Sequence, residues 1–159
     1  MCEVACSCFH HGAVSPALSR IRVAKLEDIG LDLAISCPGC LEKPCLACPN
    51  EALSVGGRGE ILLEAGLCNG CGVCVEACPI GAVGFWEGHP LFCDLCGGAV
   101  SCVGVCPSKS LTYREGASGI SLAPFLPAQG NPARKRARFV RVKGEPIREN
   151  WKNGGGVEP

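Results

Sequence analysis

The chain has 159 residues, of which 15 are cysteine and few are aromatic (five Phe, two Trp, one Tyr), and its formal net charge is zero. A fold so poor in large side chains cannot rest on a packed apolar core alone, so something held by the cysteines must fill the interior. The cysteine number is odd, no basic-then-apolar leader opens the sequence and no apolar run is long enough to span a membrane as a helix, which fits metal clusters better than disulfide bridges and predicts a reducing, cytoplasmic setting.

In chain order, residues 1–12 carry Cys2, Cys6 and Cys8, then His10, His11 and Gly12. Ile21 and Val23 alternate with Arg20, Arg22 and Lys25, which predicts a half-exposed strand. Leu31, Leu33 and Ile35 alternate in the same way and predict its hairpin partner. A first cysteine group follows as Cys37-x2-Cys40-x4-Cys45-x2-Cys48-Pro49. The stretches ALSV and EILLE, joined by Gly56-Gly57-Arg58-Gly59, predict a second hairpin. Next comes the densest group, Cys68-x2-Cys71-x2-Cys74-x3-Cys78-Pro79. A third hairpin is predicted from AVGFW and PLF across the turn Glu87-Gly88-His89-Pro90. The last group is Cys93-x2-Cys96-x5-Cys102-x3-Cys106-Pro107.

The groups repeat. After Cys48, Cys78 and Cys106 the chain continues PNEALSV, PIGAVGF and PSKSLTY, at intervals of 30 and 28 residues. Each repeat reads as a cysteine loop, a short helical turn and a strand. Past Tyr113 the repeat ends. Residues 117–159 read as a Gly/Pro-rich linker and a basic tail with RKRAR at 134–138, extended rather than packed. Charge divides at the same place: residues 1–130 hold seven basic and twelve acidic side chains, and 131–159 hold eight basic and three acidic.

The spacing C-x2-C-x2-C-x3-C-P is that of bacterial-type ferredoxins, in which three thiolates hold one cubane cluster and the fourth reaches a neighbouring one. Thiolates two residues apart on a tight loop reach three corners of one cube, and a cysteine four residues on, across a helical turn, points away. Gly70 and Gly72 let the loop close around the cluster.

Residues 1 to about 113 resemble the four-cluster electron-transfer subunits that accompany formate hydrogenlyase, carbon monoxide dehydrogenase and tungsten aldehyde oxidoreductase catalytic subunits. The carriers are CEVACSCFHHG, SRIRV, PCLACPNEAL, CNGCGVCVEACPIGAV and CDLC followed by CVGVCP. The resemblance implies an α+β, bacterial ferredoxin-like fold, a tandem pseudo-symmetric polyferredoxin with short helices and small β-hairpins. Residues 1–116 would form that domain, with a partial first motif at 1–12 and ferredoxin-type units at about 28–57, 59–88 and 89–116. It implies one 4Fe-4S cluster on Cys37, Cys40, Cys45 and Cys78, a second on Cys68, Cys71, Cys74 and Cys48, and a third on Cys93, Cys96, Cys102 and Cys6. A fourth would need Cys2, Cys106 and two cysteines that would precede Met1, so Met1 is expected to be an internal methionine of a longer protein; the alternative is a three-cluster variant with Cys2 and Cys106 idle. The Cys45-x2-Cys48 gap is one residue shorter than the family's.

The function implied is electron relay between a catalytic oxidoreductase subunit, of molybdenum/tungsten or nickel–iron type, and a second carrier. The chain itself is not expected to be an enzyme, since no acid–base pair or nucleophile constellation is visible. Rival readings are a zinc-binding interaction module, which C-x2-C pairs would suit, and a cluster-based redox sensor, which would need an output domain. Cys8 fits no group and is expected as a buried free thiol. His10, His11 and His89 are expected in packing or surface roles, and Phe85 and Trp86 as hairpin residues covering a cluster. RKRAR reads as a solvated tail, or else as a run that docks onto an acidic partner surface or this chain's own acidic body; it is too short, and too poor in aromatics, for nucleic-acid binding.

Overall fold

The computed structural model describes residues 1–116 and 119–154. Ala117, Ser118 and residues 155–159, the last five belonging to the expected tail, lie outside the described residues. The architecture is mixed α+β. Helix α1 (Cys2–His11) opens the chain, followed by the antiparallel pair β1 (Arg22–Leu26) and β2 (Leu31–Ile35). Two smaller hairpins follow, β3 (Leu53–Val55) with β4 (Ile61–Leu63), and β5 (Gly84–Trp86) with β6 (His89–Leu91). Between them lies the one-turn helix α2 (Val73–Ala77), and after β6 the short α3 (Ser101–Gly104). A 21-residue helix, α4 (Pro132–Lys152), closes the described chain.

All three predicted hairpins form, the first on the alternation of its apolar residues and the other two on their glycine-containing turns. In β2, Leu31 and Ile35 are buried while Asp32 between them is exposed. The strand expected after Cys106 is absent: residues 107–114 are turn and coil. Each of the earlier units supplies a second apolar run for its strand to pair with, whereas the Gly-, Ser- and Pro-rich stretch after Tyr113 supplies none.

The tail is the larger correction. Residues 120–125 strap across the body, the Leu41 N–H donating to the Ile120 carbonyl at 3.1 Å. The Glu42 carboxylate accepts from the Ser121 hydroxyl and from the N–H groups of Leu122 (2.9 Å) and Ala123 (3.1 Å). Those hydrogen bonds, led by Ser121, pull its pKa down to about 2. Leu122 and Phe125 are thereby buried. Helix α4 then begins at a capped start, with the Asn131 side chain accepting from the Arg134 N–H and Pro132 in the first turn. It packs on β1 and β2 through Val140, which is fully buried, and Gly144, which lies against Leu31. The core joins Leu31, Ile35, Ile61, Ile80, Ala82, Val83, Phe92, Leu122, Phe125 and Val140 to Cys40, Cys45, Cys74 and Cys78. Among the described residues no helix is long and apolar enough to cross a membrane.

Candidate metal centres

The cysteines collect into three groups. Cys37, Cys40, Cys45 and Cys78 form the first. Burial pushes the Cys45 thiol up to about 12, and the nearby charges of Cys37, Cys40 and Cys78 act in the same direction. Burial likewise raises Cys37 and Cys40, each of which feels Cys78. The turn after Cys78 folds its sulfur against the Ala82 N–H, which donates to it at 3.3 Å.

Cys48, Cys68, Cys71 and Cys74 form the second group and line one cavity, together with Leu53, Leu63 and Pro90. Burial pushes the Cys74 thiol up to about 11, with Cys48 and Cys68 adding to it. Helix α2 starts here: Gly72, at φ 76°, caps it, and Cys74 lies in its first turn. Cys71 is exposed, which puts this group at the surface.

Cys6, Cys93, Cys96 and Cys102 form the third. Burial pushes Cys93 up to about 12, and Cys102 and Cys6 are among the thiols that reinforce it; Cys102 in turn feels Cys96 and Cys6. Cys6 arrives on α1, which packs on α3, the helix bearing Cys102. The Arg20 N–H donates to the Cys6 sulfur at 3.2 Å.

The first group adjoins both others. Cys37 is near enough to Cys93 to raise its pKa, and the two line one cleft of about 480 Å³ with Cys102. On the other side, α2 separates Cys74 from Cys78 by little more than one turn. The groups therefore form a row with Cys37, Cys40, Cys45 and Cys78 in the middle.

Cys2 and Cys106 belong to none of these groups. Cys106 lies where the hydroxyls of Ser108 and Ser110, each 3.5 Å from its sulfur, pull its thiol down to about 6. Cys8 is exposed, not buried as expected, because it falls on the outward side of α1 while Cys6 and Ser7 face inward. His11 and His89 are on the surface. Phe85 and Trp86 are more than two-fifths exposed, so they cover little.

Sequence reasoning missed the setting of Cys96. His10 sits beside it, Nε2 3.7 Å from the sulfur and 3.3 Å from Asp94, its side chain only 7% exposed. Asp94 accepts from the Cys96 N–H at 3.0 Å and from Arg20 at 2.6 Å. Leu95 and Cys96 have φ of 58° and 51°, a left-handed pair that these bonds hold in place. Burial and the Arg20 charge keep the His10 imidazole below its ordinary value, with Asp94 pulling the other way. The one available signal was an aspartate inside the CDLC loop; its partners are remote in sequence.

Neighbouring, largely buried thiols resist ionising together unless a cation lies among them. Soft sulfur donors alone, four to a group, with backbone N–H groups aimed at the sulfurs, suit an iron–sulfur cubane. The α+β fold and these groups are similar to those of 4Fe-4S ferredoxin-like chains.

Comparison with known proteins agrees. Residues 62–83 match the family described as the 4Fe-4S binding domain. Over 99 residues the chain is 41% identical to the aliphatic sulfonate oxidoreductase polyferredoxin-like subunit of Pyrococcus furiosus, covering 60% of this chain and 57% of that one. It is 38% identical to the formate dehydrogenase iron-sulfur subunit of Wolinella succinogenes, over 53% of this chain and 44% of the other. It is 33% identical to the electron transport protein HydN of Escherichia coli, over 52% and 50% respectively. The chain spans about half the length of the curated relatives it matches.

Proposed function

We propose that this chain is an electron-relay subunit of an oxidoreductase complex, with one 4Fe-4S cluster in each of the three thiol groups. The observation that carries the reading is the row itself: three groups of four cysteines, the middle one adjoining both others. Each cluster would supply one-electron redox chemistry. The protein's part is spacing, hydration and hydrogen bonding. Cys37, Cys40, Cys45 and Cys78 would hold the middle cluster, Cys48, Cys68, Cys71 and Cys74 the outer one, and Cys6, Cys93, Cys96 and Cys102 the third. The N–H groups of Arg20 and Ala82 stabilise charge on the sulfurs of Cys6 and Cys78. Exposed Cys71 marks the outer group as the place where electrons enter or leave.

The names of the relatives support a partner of the oxidoreductase class, since they include subunits of a formate dehydrogenase and of a sulfonate oxidoreductase. A catalytic subunit of molybdenum/tungsten or nickel–iron type, with a second electron carrier on the other side, is the arrangement proposed, in the cytoplasm. Cys2 and Cys106 are the residues proposed for a fourth cluster.

Anaerobically prepared protein should be brown, bleach on addition of dithionite and recover its absorbance on reoxidation without losing iron. A colourless, zinc-loaded protein would overturn the relay and establish the zinc module.

A further inference from the structure

Two basic side chains of α4 turn into the body of the protein, onto the segment that carries Cys78. Lys135 is 3% exposed and its ammonium donates to the Glu76 carbonyl at the end of α2. Arg136 donates through Nη1 to the Gly81 carbonyl at 2.8 Å. Gly81 is buried, and the Pro132 carbonyl oxygen lies 2.3 Å from where a Cβ would stand, so the start of α4 is seated directly on the turn that follows Cys78.

A buried ammonium on a neutral carbonyl is costly unless negative charge lies close by. Among the described residues neither Lys135 nor Arg136 forms an ion pair with a carboxylate. Burial and the like charge of Arg22 oppose the Arg136 cation, and the negative groups that favour it are Cys78 and Glu3. Four thiolates on a cubane would leave a net negative charge, which would stand beside Arg136 and on the segment that Lys135 caps. Lys43 adds a third, its ammonium on the Cys40 carbonyl at 3.2 Å. Glu42, the acid on the same loop, is engaged by the strap at Ser121 to Ala123.

The neighbouring groups are built differently. Arg20, beside the third group, is neutralised by Asp94 at 2.6 Å. The loops of the outer group are held by uncharged side chains, Asn50 on the Leu67 carbonyl and Asn69 on the Cys71 N–H.

We propose that Lys135 and Arg136 are positioning residues that raise the reduction potential of the middle cluster, making the middle of the row the place where a transferred electron rests. The inference rests on the relay reading above. Reduction adds one electron, taken from the donor protein or the titrant, and one negative charge; no bond breaks and no proton is required. Fixed positive charge at short range favours the more negative, reduced state.

The test is an anaerobic redox titration followed by electron paramagnetic resonance, on wild type, R136Q and R136K. The signal of the middle group is the one that C45A lacks. In R136Q that signal alone should need a more negative potential, its reduced-to-oxidised ratio at fixed potential falling about tenfold, which is about 59 mV for a one-electron couple. R136K, which keeps the charge, should stay near wild type. Iron-complete R136Q with no shift, or with all signals shifted alike, overturns the proposal. Should R136Q shed its iron, K135M decides in the same way: a shift of the same signal supports the proposal, and none overturns it. Wild-type protein without any 4Fe-4S signal would instead sink the relay reading.

Discussion

Cys78 and Cys8 show what distinguishes a ligand from a bystander at the scale of one residue. Cys78 is buried, takes an N–H on its sulfur and has three other cysteines around it. Cys8 stands exposed on α1, in none of the three groups. C78A should therefore lower iron by about four atoms per chain, by the four-iron content of a cubane, and C8S should leave it unchanged. Iron analysis of the two variants side by side checks this; equal losses would contradict the grouping. Ligand cysteines were legible because their spacing is a local, covalent constraint. His10 and Asp94 were not, because their role comes from a contact 84 positions apart that no local pattern encodes.

At the scale of the element, hairpins and α4 make an instructive contrast. The hairpins announced themselves by alternation and turn residues, and these short-range signals agree with the final packing. Helix α4 carried signals too: Asn131 and Pro132 at its start, and Val140, Gly144, Ile147 and Trp151 at helical spacing. They were obscured by the run of basic residues and by Pro146. That proline is exposed, on the solvent side, where the carbonyl it leaves without a partner can be hydrated. The joint between α4 and the body is Gly81, whose φ of 63° and contact with the Pro132 carbonyl both exclude a side chain. G81A should cost about 1–3 kcal/mol and loosen α4, exposing Arg134 to Arg138 to faster cleavage by trypsin. G57A, at an open site with nothing within 4 Å, is the control and should be cut at the wild-type rate.

Across the whole molecule, the acidic body and basic tail seen in the charge pattern turn out to be one packed unit, with α4 laid on β1 and β2. The ion pair Arg141–Asp28, at 2.6 Å, is exposed on both sides and contributes little. The apolar core is thin, and five of its fourteen buried members in the main cluster are cysteines or alanine: Cys40, Cys45, Cys74, Cys78 and Ala82. With clusters bound as proposed, much of the folding free energy would come from the metal. Chelator-stripped protein should lose its cooperative thermal transition, as followed by circular dichroism. A sharp melt retained by metal-free protein would show that the core suffices.

The proposed three cubanes are tested most directly by metal and acid-labile sulfide per chain in anaerobically prepared protein. The account predicts about twelve iron and about twelve sulfide, from four of each per cubane. About four iron per chain, or zinc in place of iron, would contradict it.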